Sequence, residues 1–321
     1  MSTSVFDTRY EYSEGRITEF RDALAEAVPE LTKCPNLCIY STGSFGRREA
    51  GKHSDLDLFF VVDGKREDIP KLIKTLIDAD LIRLCTRLGY PEFSGDGEYL
   101  KIHTLSDLSQ KIGDQDEDAE NIFTARMLLF LESVPLHNDD VYNRTISECI
   151  QQYCRDHMDH PTNFKPIFLV NDISRFWKTL CLNYESARTG LKPEDKPKHR
   201  VKNLKLKFSR MMTCYSMLAC LCDPAEGDSP EKLEQLVGMT PHQRLTHITN
   251  KHGLTDLFGS LVNEYEWFLT ITDEEKSIVR SRVAEQKDDV FRRARLFGEL
   301  VYRLLLAIAD KTKTDLRYLV V

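Results

Sequence analysis

Every clear strand signal in this 321-residue chain falls before about residue 105, and helical patterns occupy nearly all that follows. The segment NLCIYSTGS (36–44) reads as a short strand running into a Gly-Ser turn. FGRREAG (45–51) has room for one turn of helix, and DLDLFFVV (55–62) is a strand with strict alternation at its start. Residues 12–30 carry Ile17, Phe20, Leu24 and Val28 at helical spacing, and 67–88 form a second helical pattern. A Gly-rich turn opens FSGDGEYLKIHTL (93–105), whose end reads as a third strand. Helices and strands thus alternate over the first hundred residues, which defines a mixed α/β unit.

Beyond it, helical patterns cover 118–134, 139–157, 165–190, 198–222, 241–251, 256–270, 273–283 and 284–311. Two polar stretches, 192–200 and 223–231, read as exposed loops between helices. The C-terminal DLRYLVV has strand composition but is too short to assign. The expected fold class is α+β, with a mixed-sheet domain over 1–135 and an all-helical domain over 136–321.

With 41% hydrophobic and 30% charged residues, the chain is globular in composition and neither collagen-like nor disordered. Lys and Arg total 44 against 51 Asp and Glu, a net charge of −7. Such a balance makes DNA or RNA the least favoured partner. The nine cysteines are odd in number and mostly in apolar surroundings, which reads as reduced, buried thiols. No Cys-His cluster completes a zinc site. The N-terminal residues lack the apolar core of a signal peptide, and no apolar run is long enough for a membrane span. The expected setting is cytoplasmic, with no membrane partner.

The chemistry concentrates in LCIYSTGSFGRREAGKHSDLDLFFVV (37–62). Asp55 and Asp57 are two apart, so on a strand their carboxylates share a face, with Leu56, Leu58 and Phe60 opposite. Adjacent carboxylates repel unless a cation lies between them. Hard oxygen donors of this kind suit Mg²⁺ or Mn²⁺. Gly43 lets backbone approach a phosphate closely, and Ser44 with the following amides can hydrogen-bond its oxygens. A phosphate cradle facing a carboxylate pair is the layout of metal-assisted phosphoryl or nucleotidyl transfer.

This stretch resembles the signature of the DNA polymerase β-like nucleotidyltransferase superfamily, which is Gly-Ser, a spacer, then Asp-x-Asp. The ten-residue spacer is similar to that of minimal, antitoxin-like nucleotidyltransferases. GRREAGKHSDLDL resembles the uridylyltransferases that modify the nitrogen-regulatory PII protein. The resemblance is firm over 37–62 and looser over 12–105, and a helical domain behind the catalytic one fits it. It implies transfer of a nucleoside monophosphate from an NTP, ATP or UTP first, to an acceptor with release of pyrophosphate. Asp55 and Asp57 would hold the metal, and Gly43 and Ser44 the β- and γ-phosphates. The acceptor would be a protein side chain, a small molecule or a second nucleotide. The alternative is a catalytically inactive nucleotide-binding regulatory or toxin–antitoxin-type module.

Active members bring a third carboxylate from a nearby strand, and Glu98 and Asp96 are the candidates here. Leu100 and Ile102 share the packed face, and period-two parity puts Glu98 with them; Tyr99, Lys101 and His103 face the site. A bulge at Gly95–Gly97 would re-aim Glu98. Without a third acid, Lys101 or His103 would bind phosphate instead. Arg47 and Arg48 follow the turn closely enough to meet a triphosphate or to form a solvated helical turn. His53 reads as a turn residue. Among the basic residues of 198–212, Lys202 and Lys205 share a helix face and would reach phosphates by analogy with the superfamily; the alternative is a solvated basic face.

Overall fold

The computed structural model describes residues 4–93, 100–115, 117–159, 164–314 and 316. The chain divides into two compact units, 1–152 and 153–321.

The first unit opens with helix α1 (Val5–Ala27), whose N-terminus is capped by the Ser4 side chain accepting from the Asp7 amide at 3.1 Å. Strand β1 (Leu37–Thr42), the four-residue helix α2 (Gly43–Gly46) and strand β2 (Asp57–Val62) follow. Then come α3 (Lys71–Arg87), β3 (Ile102–Thr104), α4 (Leu105–Gln110), α5 (Ile122–Leu131), β4 (Val134–His137) and α6 (Asp139–Tyr153). The strands form one mixed sheet in the order β3-β2-β1-β4. β1 pairs antiparallel with β2 and with β4, whereas β2 and β3 are parallel. A parallel pair needs a crossover, and α3 supplies it.

Both faces of the sheet are covered, which is why β1 and β2 are nearly continuous apolar runs. Leu37, Ile39, Leu58, Phe60 and Val62 join one buried cluster with Ile17, Phe20 and Leu24 of α1 and Ile77, Leu81 and Leu84 of α3. On the opposite face Tyr40 stacks on Phe59 at 5.5 Å and meets Tyr142 of α6 at 6.1 Å.

Among its described residues the second unit has helices and no strand: α7 (Ile167–Ser186), α8 (Lys196–Lys205), α9 (Met211–Leu221), α10 (Pro230–Gly238), α11 (Pro241–His252), α12 (Thr255–Thr272), α13 (Lys276–Glu285) and α14 (Lys287–Thr312). A π-helical turn at Leu206–Arg210 joins α8 to α9. It points Phe208 into the core, stacked on Phe268 at 5.1 Å and on Phe297 at 4.7 Å. The fully buried Arg244 donates from Nε to the Leu236 carbonyl at 2.7 Å, near the end of α10, where the Met239 amide also donates to that oxygen at 3.2 Å.

The mixed sheet with flanking helices and the helical second part agree with the expected fold class. Several elements differ from the sequence expectation. The helix expected over 118–134 is shorter and gives way to β4, so position 135 lies inside a sheet strand. The helical turn expected at 45–51 begins two residues earlier, at Gly43. Residues 196–200 belong to α8 and 230–231 to α10, not to loops. The C-terminal DLRYLVV lies almost wholly outside the described residues. Eight of the nine cysteines are buried and Cys181 is partly so. Among the described residues, no helix is long and apolar enough to cross a membrane.

Candidate active site

The Gly-Ser turn and the Asp-x-Asp segment meet because β1 and β2 pair in register. Thr42 lies opposite Asp57 at the end of that ladder, so the chain enters Gly43 where β2 begins. Gly43 adopts φ of +68°, a conformation that favours glycine. A Cβ there would also stand 2.8 Å from Oδ2 of Asp57. The glycine therefore does two things: it permits the turn, and it leaves the space that the Asp57 carboxylate uses. α2 closes with the Arg47 amide donating to the Gly43 carbonyl at 3.0 Å and the Glu49 amide to the Ser44 carbonyl at 2.8 Å.

Asp55 and Asp57 are both partly exposed and flank Leu56, which is 2% exposed in the core. The alternation expected of a strand is thus kept, although β2 itself starts at Asp57. The loop between the two motifs is tied down. The Ala50 amide donates to Oγ of Ser13 on α1 at 3.0 Å, and both residues are fully buried. The Gly51 amide donates to Oγ of Ser54 at 3.0 Å. Arg48, at φ of +60°, pairs with Glu14 of α1.

Arg47 does not present its charge to solvent. Its Nε donates to Glu49 at 2.8 Å and its Nη1 to Glu132 at 2.5 Å, and all three side chains are buried. The backbone approaches closely at the same place: a Cβ on Gly46 would overlap the Glu132 carbonyl oxygen. Arg47 thus sits in a buried ion-pair cluster and not in a solvated helical turn. Glu132 and Ser13, which make these contacts, are residues that sequence reasoning missed. Neither carries a local signal, because each meets its partner from a distant element.

Leu100 and Ile102 pack against the α1/α3 cluster, as parity requires. His103 lies on the other face, 2% exposed and stacked on Phe59 at 6.5 Å. Burial, with Lys101 and Arg66 nearby, pulls its pKa down to about 4, so it is neutral near pH 7. A neutral buried imidazole brings no positive charge to a phosphate. Lys101 is exposed, with Nζ 3.4 Å from the Glu120 carbonyl. His53 is exposed in the turn before Asp55. Lys202 and Lys205 are both exposed on α8 of the second unit. Glu98 and Asp96 lie outside the described residues.

Among the described residues, no group of three or more His, Cys, Asp or Glu side chains is arranged to hold a metal ion. The two carboxylates nevertheless fit Mg²⁺, which is bound by one or two carboxylates together with waters and substrate phosphates.

A family model described as Nucleotidyltransferase domain matches residues 18–161, the stretch that holds the sheet, the Gly-Ser turn and both aspartates. The chain contains a polymerase β-like nucleotidyltransferase domain at these residues. The match supports a nucleotidyltransferase-type reaction in general. No curated protein matches the chain.

Proposed function

We propose that the protein is a metal-dependent nucleotidyltransferase that moves a nucleoside monophosphate from an NTP to an acceptor and releases pyrophosphate. The observation that carries this reading is the seating of the Asp57 carboxylate against Gly43, inside a nucleotidyltransferase domain. Asp55 and Asp57 would hold Mg²⁺ or Mn²⁺. Bound there, the ion supplies positive charge that offsets charge on the phosphate oxygens. Ser44 donates its hydroxyl to a phosphate oxygen, and the turn at Gly43 lets backbone approach the same group. The tether from Ser13 to Ala50 holds the loop that carries Asp55, so the carboxylates are placed before substrate arrives. A third carboxylate, Glu98 in this proposal, would act as general base on the acceptor hydroxyl. The acceptor is a protein side chain, a small molecule or a second nucleotide.

The test incubates the full chain with each α-labelled NTP, ATP and UTP first, plus Mg²⁺ or Mn²⁺, with and without cell lysate. An Asp55→Asn/Asp57→Asn variant runs beside it. The expected result is label on an acceptor, lost by at least about 100-fold in the variant, as for removal of a principal electrostatic stabiliser. Full transfer by the variant would overturn the assignment of these aspartates. Nucleotide binding without transfer under every condition would make the protein a nucleotide-binding regulatory module instead.

A further inference from the structure

The helical unit contains a cavity of about 480 Å³, inside the roughly 300–1,000 Å³ range of small-molecule sites. It lies between the end of α7 and its following turn, α8, and the start of α14. Four cationic side chains line it: Arg188, Lys196, Arg200 and Lys287. Among the described residues, no carboxylate lines it. Arg188 has one carboxylate partner, Glu185, at 3.5 Å, and both side chains are well exposed. An exposed pair of that length contributes little and leaves the guanidinium available. Among the described residues, Lys196, Arg200 and Lys287 have no carboxylate partner. Four cations around one cavity repel each other, and an anion relieves the repulsion.

The aromatic half of the cavity is built as carefully as the charged half. Tyr184 and His199 stack face to face, with ring centroids 4.2 Å apart and planes 19° from parallel. Asn203 fixes the tyrosine by donating from Nδ2 to its hydroxyl at 2.8 Å. Phe291 lies partly buried on the α14 side. His199 is 8% exposed, yet its Nε2 has no hydrogen-bond partner. A buried polar nitrogen left unpaired costs about 1–3 kcal/mol unless a ligand or water supplies the bond. The helical unit thus joins a ring-stacking surface and an unpaired nitrogen to a cluster of cations.

We infer that this cavity is a nucleotide-binding site carried by the helical unit alone. The phosphates would meet Arg188, Lys196, Arg200 and Lys287, for which guanidinium and ammonium groups are suited. The base would lie against the Tyr184–His199 and Phe291 rings, with His199 Nε2 pairing to a polar atom of the ligand. The site uses neither Asp55 nor Asp57 and needs no divalent metal. It therefore stands whether or not transfer chemistry is found at the first unit.

Binding of ATP, GTP, UTP and CTP to the full chain is measured by calorimetry in EDTA, with adenosine, tripolyphosphate and a short single-stranded RNA as comparisons. The metal-free condition and the Asp55→Asn/Asp57→Asn background separate this site from the proposed transferase site. Nucleotide binding is expected to survive in that background. It is expected to weaken at least about tenfold in an Arg188→Ala/Lys196→Ala/Arg200→Ala variant. These side chains are exposed or half-exposed, and a circular dichroism melt checks that the variant folds. His199→Phe keeps the stack and removes the nitrogen, and should weaken nucleotide binding while sparing tripolyphosphate. No nucleotide binding in EDTA, or binding that the triple variant leaves unchanged, would overturn the inference. Equal affinity for tripolyphosphate and nucleotides would overturn the base-binding half. Tighter binding of the RNA than of any mononucleotide would replace the nucleotide with a nucleic-acid strand.

Discussion

Arg47 follows the Gly-Ser turn where a cation for phosphate is chemically sensible, and its sequence position alone supports that role. In the fold its guanidinium lies between Glu49 and Glu132, and the Glu132 side chain is 0% exposed. Removing one partner of a buried ion pair leaves uncompensated charge in a low-dielectric interior. Arg47→Ala should therefore lower stability by about 3–5 kcal/mol, read from urea denaturation with an unchanged slope. A variant as stable as the parent, with only a higher KM for NTP, would return Arg47 to the phosphate. Gly43, by contrast, was legible. Its position after an apolar strand marked it as the glycine of a turn where backbone can approach a phosphate closely. The structure adds that the missing Cβ also makes room for Asp57.

The elements around the site differ in how far they can be read from sequence. β1 and β2 announce themselves because both are buried on two faces and carry uninterrupted apolar runs. β4 does not. It is four residues long, contains Pro135, and takes its strand character from pairing with β1 at the sheet edge. An edge position is where a proline is tolerated, and the register is irregular there between Ile39 and Tyr40. α4 is hidden by its length of six residues, although Thr104 caps it by accepting from the Asp107 amide at 2.9 Å. The π-helical turn between α8 and α9 is equally invisible, because it reflects where Phe208 must pack and not a local preference. At this scale the contact between α1 and the 47–56 loop carries a prediction. Ser13→Ala removes the acceptor of a fully buried Ala50 amide. It should cost about 1–3 kcal/mol, and lower transfer activity more than a surface Ser→Ala on α1 of equal stability would. Thermal melts and initial rates on both variants check it, and equal activity loss in the two would mean the tether does not position the loop.

Across the whole molecule, pH should act through groups whose ionisation the fold has shifted. His103 has its pKa depressed from 6.5 to about 4, chiefly by burial. Between those values the unfolded chain binds a proton that the native state refuses, so stability falls as pH drops from 6.5 to 4. The shift corresponds to roughly 3 kcal/mol at its limit. Asp107 acts in the same sense at lower pH. Its burial opposes ionisation, but hydrogen bonds from Lys111 and Thr104 and the charge of Arg66 hold its pKa at about 2. Its contribution is complete above the ordinary 3.8 and lost as pH falls toward 2. Denaturation midpoints from pH 7 to 4 should decline, and His103→Phe should flatten that decline; an unchanged slope would contradict the burial of the imidazole. What the amino-acid order determined by itself was the local chemistry: a glycine turn, a pair of aspartates at strand spacing, and a helical second part. Strand and helix periodicity and backbone sterics act over a few residues, so these can be read without the fold. Partnerships between distant residues were decided only by the tertiary structure. Arg47 meets Glu132 across 85 positions, and the cavity gathers Arg188, Arg200 and Lys287 from separate elements. Which surfaces meet depends on how the helices and the sheet pack, and no short-range pattern carries that information.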